Sequence, residues 1–449
     1  MRNNKEISEG LSRLEIFLDS KGQSKFYFFG EDFWPVIRTL FAFSLISSKQ
    51  SITNEESQFH FKQKPKLMVK NPENLIITHS NYFIEIDNKF YDRVMSSLSN
   101  VRNRNLILNL EDLSLIDGSI TYKVGSILYK VKILKAISMI LTPFIFLNPN
   151  YHKNLRLIYE AKKDLNIDFK ISRFRVMSRI VFIFFLSKFL EKLLNRLKVK
   201  KIYQAIYYDN FGFALSLAAD RLKVLNICMQ HGGQSEHNPA FGNWNLIDKN
   251  GYKFLPNIFS CWDEKSSLGL RNLVNLSNRH KVQIDGYQWL TTFKNIKPDD
   301  SASSLRNENK INILITLQPS FQVENSFIID FFEKNNKKIN LLIRLHPRQV
   351  SLKNFEFYKN LFNKMEIVDI ETISKKPLLE SLSIADFHLT AFSSSIFEAN
   401  FLGIKSILIE LDRTFSEHTE VINILKSFDY NLSFYKDKNG CSNHIFNLN

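Results

Sequence analysis

Short apolar runs alternate with stretches of helical periodicity along almost the whole chain, the pattern of a parallel α/β architecture. KFYFFG (25–30) predicts a strand and EDFWPVIRTLFAFSLI (31–46) the helix after it, with Pro35 in the first turn, where a missing N–H costs little. KLMVK, NLIITH, YFIEID and NLILNL, all within 66–110, predict strands, with Asp87-Asn88 as a turn. Residues 151–198 read as mainly helical. KIYQAIYYDN (201–210), VLNICMQ (224–230), NIFSCW (257–262) and KVQIDG (281–286) predict strands, and FGFALSLAADRLK (211–223) a helix. The polar stretch 294–310 then breaks the pattern and predicts a linker. A second series follows, with strands INILITL (311–317), INLLIRL (339–345), EIVDI (366–370), DFHLT (386–390) and SILIEL (406–411). Helices over 326–337, 354–365, 376–385 and 394–403 separate them, the last closed by Gly403. The expected organisation is two doubly wound α/β domains, 1–293 and 311–420, facing a central cleft. The remaining 421–449 form a tail able to pack back on the first domain.

A length of 449 residues agrees with more than one core. With 44% hydrophobic and 23% charged residues, disorder, collagen and coiled coil are excluded. Cys228, Cys261 and Cys441 lie far apart with no C-x-x-C, which argues against a disulfide framework or a structural zinc site. The charged N-terminus lacks the apolar core of a signal peptide. The run 133–147 is short for a span and interrupted by Lys135 and Pro143, so a cytoplasmic protein that does not cross a membrane is expected.

The net charge is +15, and 14 Lys or Arg against four acids in 151–201 supply +10 of it. Leu186, Phe189, Leu190, Leu193, Leu194 and Leu197 form an apolar stripe there, with Lys188, Lys192 and Arg196 on the other side. Such a helix is either an ordinary surface helix or one lying on anionic headgroups. Nucleic acid is not expected as a partner, because no recognised reader motif accompanies the charge.

The chain has no G-x-G-x-x-G, P-loop, G-x-S-x-G or H-E-x-x-H, and no D-x-D metal clamp, so neither metal nor cofactor is expected. RLHPRQ (344–349) ends a predicted strand, where α/β sheets gather ligands. Its Arg344, His346, Pro347 and Arg348 predict an anion site. At the next predicted strand-to-helix turn, Thr390, Ser393, Ser394 and Ser395 offer hydroxyls at a helix start, and Glu398 could accept from ribose hydroxyls. Plain N-capping needs one such hydroxyl. Gln230, His231, Gly232 and Gly233 form a third strand-end loop, and Asp209 ends the strand before it. Either His231 or Asp209 can serve as general base.

The HP pair (346–347) followed by the serine cluster (393–395) resembles the bacterial sialyltransferase and Kdo-transferase group of GT-B glycosyltransferases. It is also similar to the CDP-glycerol glycerophosphotransferases of teichoic-acid synthesis, and QHGG (230–233) resembles a loop of capsule and O-antigen enzymes. The likeness covers about 201–411 and implies a GT-B fold. It implies that His346 and the serines bind the donor phosphate and that Glu398 sits by the ribose. The acidic D/E-D/E-G motif of the sialyltransferase group is missing, YYDNFG (207–212) being the nearest approximation, so the base stays open between Asp209 and His231. The implied activity is metal-independent transfer of a sugar from a nucleotide-activated donor, a CMP-ulosonic acid or a UDP-sugar, to a surface-polysaccharide or lipid-linked acceptor. The enzyme would lie peripherally on the inner face of the plasma membrane. A CDP-polyol phosphotransferase, a UDP-sugar epimerase and a non-catalytic membrane-surface binder are the alternatives.

Overall fold

The computed structural model describes residues 4–46, 72–79, 82–86, 89–95, 98, 105–109, 114–117, 120–123, 125–165, 167, 171–232, 234, 238–295, 303–318, 327–346, 349–365, 367, 369–391, 393, 395–409 and 432–435. KLMVK, the Asp87-Asn88 turn and Cys441 lie outside these, as do Gly233, Pro347, Arg348 and Ser394. The chain divides into two α/β units. One comprises 1–83 with 92–289, the other 290–449 with 84–91.

The first unit is built on an eight-stranded sheet. Its strands are β1 (Asn74–Thr78), β2 (Asn105–Asn109), β3 (Ser114–Asp117), β4 (Ile120–Lys123), β5 (Lys201–Gln204), β6 (Leu225–Met229), β7 (Ile258–Cys261) and β8 (Lys281–Ile284). The order is β8-β7-β6-β5-β1-β2-β3-β4, parallel from β8 to β2 and antiparallel at the β3 and β4 edge. From β1 the chain steps to β2 on one side and later to β5 on the other. The topological switch therefore falls between β1 and β5, where open α/β sheets place ligands. KFYFFG gives only the two-residue strand Tyr27–Phe28, paired to Glu31–Asp32 outside this sheet.

Helices α1 (Asn4–Ser20), α2 (Trp34–Ile46), α3 (Gly125–Phe146), α4 (Pro149–Asp164), α5 (Arg173–Leu197) and α6 (Asn210–Leu222) belong to the same unit. In α5, Leu186, Leu190, Leu194 and Leu197 are buried while Lys188, Lys192 and Arg196 are exposed, so the stripe packs on the core. Helix α6 starts where Asp209 accepts from the Gly212 amide at 2.6 Å and stops at Lys223, which is left-handed with φ 58°. A Cβ on Gly212 would lie 2.5 Å from the Ile206 carbonyl oxygen and 2.6 Å from the Tyr207 Cα. Backbone cannot yield there as a side-chain tip can. Gly212→Ala is expected to cost about 1–3 kcal/mol through overpacking, read as a lowered urea midpoint at unchanged slope.

A buried charge network ties the N-terminal helices to the segment after the QHGG loop. The wholly buried Arg38 on α2 donates from Nε to Glu15 Oε1 on α1 at 2.8 Å. It also donates to the carbonyls of Pro239, Gly242 (2.9 Å) and Asn243 (3.0 Å), and lies 4.1 Å from the Trp244 ring centroid. Glu15 accepts in addition from Trp34 Nε1 at 2.9 Å and the Asn245 amide at 2.8 Å.

The second unit holds a parallel five-stranded sheet. Its strands are β9 (Ile311–Thr316), β10 (Ile339–Arg344), β11 (Phe387–Thr390), β12 (Lys405–Ile409) and β13 (Leu432–Tyr435), in the order β10-β9-β11-β12-β13. Its switch falls between β9 and β11. Ile313, Ile315, Leu341 and Ile343 pack on one face, Leu314 and Leu342 on the other. Burial of both faces explains why these strands read as unbroken apolar runs. Two expectations are corrected. Among the described residues of EIVDI, Ile367 makes an isolated bridge to Leu341, and Asp369 caps a helix over Ile370–Lys375 through the Thr372 amide at 3.0 Å. Strand β13 lies in the segment expected as a tail able to return to the first domain; it extends the second unit's own sheet by pairing with β12.

Candidate active site

The sequence between β5 and β6 places several polar side chains at one end of the first sheet. His79 follows β1, Tyr208 and Asp209 follow β5, and Gln230 and His231 follow β6, three neighbouring strands that straddle the switch point. Tyr82 and Arg93 join them. The Tyr82 amide donates to the His79 carbonyl at 2.9 Å, the Arg93 amide to the Tyr82 carbonyl at 2.9 Å, and the Arg93 guanidinium lies 5.8 Å from the Tyr82 ring centroid. Arg179 arrives from α5, its Nη2 3.4 Å from the Tyr208 carbonyl and its guanidinium 5.9 Å from the Phe213 ring centroid.

Burial sets the electrostatics. It pushes the Asp209 carboxyl above the usual carboxylate range, opposed by the Gly212 amide and by the charges of His79 and Arg179. Burial likewise lowers Arg179 to about 10, with Asp209 pulling the other way. His231 is pushed down to about 4 by burial and then by Arg93 and His79, so it is a neutral imidazole at pH 7. The Tyr208 hydroxyl lies 3.3 Å from its Nε2. His79 thus acts electrostatically on both candidate bases. A cavity of about 590 Å³ opens beside Asp209, with Arg179, Tyr208 and Asn210 also in its wall.

Gln230 is buried and engaged on both sides of its side-chain amide. Its amide donates to the Gly232 carbonyl (2.9 Å) and Ser266 Oγ (3.2 Å) and its carbonyl accepts from the Trp262 amide (2.8 Å), pinning the QHGG loop. A Cβ on Gly232 would meet open space, whereas one on Gly212 would meet backbone.

In the second unit His346 follows β10 and is half-buried, its amide 3.4 Å from Gln349 Oε1. Arg344 does not present its Nη1 to an anion. That nitrogen donates to the carbonyls of Ile373 (2.6 Å) and Lys376 (2.5 Å) and to Ser381 Oγ (3.2 Å), joining two helices to the sheet. The hydroxyl cluster also separates. Ser393 Oγ accepts from the Ser395 amide at 3.2 Å, which is capping, and Glu398 is buried in the first turn of the helix Ser395–Phe401. Thr390 Oγ1 bonds inward to the Thr316 carbonyl at 3.3 Å. Ser395 Oγ lies 3.2 Å from His388 Nε2, which is also 3.0 Å from Thr316 Oγ1, while His388 Nδ1 is 2.9 Å from Ser406 Oγ. Of the expected phosphate-binding hydroxyls, Ser395 is therefore a buried partner of a histidine, and Thr390 is turned inward to a backbone carbonyl. Among the described residues, no group of three His, Cys, Asp or Glu side chains is placed to hold a metal.

His79, Arg179 and His388 escaped the sequence reading because they belong to no motif, and Tyr208 was passed over inside YYDNFG. His79 carried the one available signal, its place at the end of NLIITH.

Three buried histidines make stability sensitive to acid. His231 and His280 are held near 4 and His388 near 3, each mainly by burial, against 6.5 unfolded. His280 is satisfied as the neutral ring, with Nδ1 2.7 Å from the Pro256 carbonyl and Nε2 accepting from the Tyr252 amide at 3.0 Å. The unfolded chain binds these protons first, so stability is full above 6.5 and falls as pH drops towards 4, by at most about 1.4 kcal/mol per pH unit for each histidine. The raised carboxyls of Asp92 and Asp209 act in the opposite sense, from 3.8 upward. Urea midpoints at pH 7, 6 and 5 should decline, and a flat series would contradict these burials.

No protein-family model and no curated protein matches the sequence. Among solved structures, the chain is similar to the UDP-GlcNAc 2-epimerase of Methanocaldococcus jannaschii, with TM-score 0.41 and 14% identity over 84% of this chain and 93% of that one. It is similar to Acinetobacter baumannii MurG, with TM-score 0.40 and 10% identity over 84% and 90%. The wall teichoic acid polymerase TagF gives TM-score 0.38 and 9% identity over 64% and 74%. The class that the chain's own strand order defines is a two-unit α/β protein with a mainly parallel sheet in each.

Proposed function

We propose that the protein is a glycosyltransferase with a GT-B arrangement, moving a sugar from a nucleotide-activated donor to a surface-glycan or lipid-linked acceptor. The observation that carries this reading is Asp209, a carboxyl of raised proton affinity at the switch point of the first sheet, in the wall of a cavity and beside Arg179 and Tyr208. Asp209 is favoured over His231 as the base. An imidazole near 4 is a weak acceptor of protons, and His231 is not in that wall. The acceptor hydroxyl loses its proton to Asp209 as its oxygen bonds to the anomeric carbon. The bond from that carbon to the nucleotide phosphate breaks, and the phosphate leaves with the electron pair. His346 and the capped turn at Ser393, on strands either side of β9, are the groups of the second unit available to bind that phosphate. No metal enters this scheme. The donor class, a CMP-ulosonic acid or a UDP-sugar, follows the motif resemblance. The place of work, the periphery of the inner membrane face, is read from the excess of basic residues in 151–201.

Incubation with CMP-, CDP- and UDP-linked donors and a lipid-linked glycan extract tests the reading. Acceptor-dependent release of nucleotide, strongly slowed by Asp209→Asn, is expected. Release from CDP-glycerol alone would make the protein a polyol-phosphate transferase, and conversion of UDP-GlcNAc without acceptor an epimerase. Turnover of no donor would end the proposal.

A further inference from the structure

Helix α3 is amphipathic in the inverted sense. Its Ser138 and Thr142 side chains face inward, donating to the carbonyls of Leu134 and Ser138 at 2.6 Å each. Ile140 and Phe144, with Leu147 just beyond the helix, are 66%, 71% and 74% exposed, and Ile133 and Ile137 continue the same face. Water is a poor partner for such a stripe, and a contiguous exposed apolar face marks a surface that is covered in use. Lys130, Lys132 and Lys135 lie exposed at the N-terminal part of the helix.

The cavity beside Asp209 opens against this same helix. Lys135, Arg175 and Arg179 contribute three cations to its wall against the single carboxyl of Asp209, while Phe43, Met139 and Phe182 supply apolar surface. Arg179 is the inner cation. Its Nε is buried without a hydrogen-bond partner among the described residues, and its charge is only partly offset by Asp209. A half-buried guanidinium with an unused, water-sealed donor is stabilised by a ligand carrying negative oxygens. A free anion would leave the apolar wall and the neighbouring stripe unexplained, whereas an anionic headgroup on a hydrocarbon chain satisfies both.

We infer that this cavity holds the phosphate of a lipid-linked acceptor, with Arg179 and Arg175 on the phosphate, the apolar wall receiving the first part of the chain, and the outer face of α3 lying in the bilayer. This rests on the transferase reading for its meaning as an acceptor site, and names the acceptor's chemical class. It also assigns membrane contact to α3 in place of the basic face of α5. Lysines beside an apolar helix face are the combination that holds a helix at an anionic interface.

Two measurements on the full chain test it. In titrations without donor, farnesyl phosphate should bind about tenfold or more tightly than farnesol or inorganic phosphate. Arg179→Met, or the exposed Arg175→Glu should the first variant misfold, should weaken it by a similar factor. Equal binding of inorganic phosphate, or affinity for farnesyl phosphate indifferent to both substitutions, overturns the site. In flotation with phosphatidylglycerol-containing vesicles, Ile140→Asp with Phe144→Asp should release the protein at unchanged melting temperature. Lys188→Glu with Lys192→Glu should leave it bound, and the reverse pattern overturns the assignment to α3. Neither readout involves a nucleotide. Donor turnover without lipid-phosphate binding therefore refutes this site alone, and lipid-phosphate binding without donor turnover refutes the transferase alone.

Discussion

Replacing Arg38 by methionine is expected to lower the unfolding free energy by about 3–5 kcal/mol, the largest loss from any single substitution considered. The side chain is wholly buried, so its removal leaves the Glu15 carboxylate without its cation, and three carbonyls lose a charged donor. Methionine fills part of the volume, which isolates the electrostatic part of the effect from a cavity. Because Pro239 and Asn243 belong to the segment after the His231 loop, the variant should also loosen that loop before the unit unfolds. Urea denaturation checks the stability and hydrogen exchange of the 238–245 amides checks the loop. A loss below about 1 kcal/mol would mean that the network holds no uncompensated charge.

Asp209→Asn should reduce kcat by about 10²–10⁴ with little change in donor KM. Asparagine caps helices about as well as aspartate, so the bond to the Gly212 amide survives and melting should shift little. The substituted amide cannot accept the acceptor's proton, which confines the loss to the chemical step. In the unsubstituted enzyme the acidic limb of the rate profile should lie above the ordinary carboxylate range, because burial raises Asp209, and activity should rise with pH through that limb. His231→Gln serves as the comparison. If it costs more than Asp209→Asn, the base has been assigned to the wrong residue.

The fold was legible where both faces of a strand are buried. INILITL and INLLIRL became β9 and β10, as expected of apolar runs buried on both faces. EIVDI was misread because three apolar residues between acids fit a helix start equally well, and Asp369 decides it as a cap. Of the site, Asp209 and His231 were readable as polar residues at strand ends. Their company was not. Strand order brings β1 beside β5, and so His79 beside Asp209, and no local pattern encodes that adjacency. The serine cluster shows the converse limit. Hydroxyl spacing near a helix start is the same for an anion site and for capping, and His388, which draws Ser395 inward, is itself indistinguishable in sequence from any strand histidine. Arg344 misled for the same reason. Its position at a strand end was read correctly, but the acceptors it meets come from helices 29 and 32 residues further along the chain.

The central claim, a nucleotide-dependent transferase, is tested most directly by a thermal-shift series of the full chain with CMP, CDP, UDP and GDP in the presence of a chelator. One of these nucleotides should raise the melting temperature in a saturable, concentration-dependent way, and His346→Ala should remove the shift. No shift with any of the four, or a shift indifferent to His346→Ala, would contradict the account.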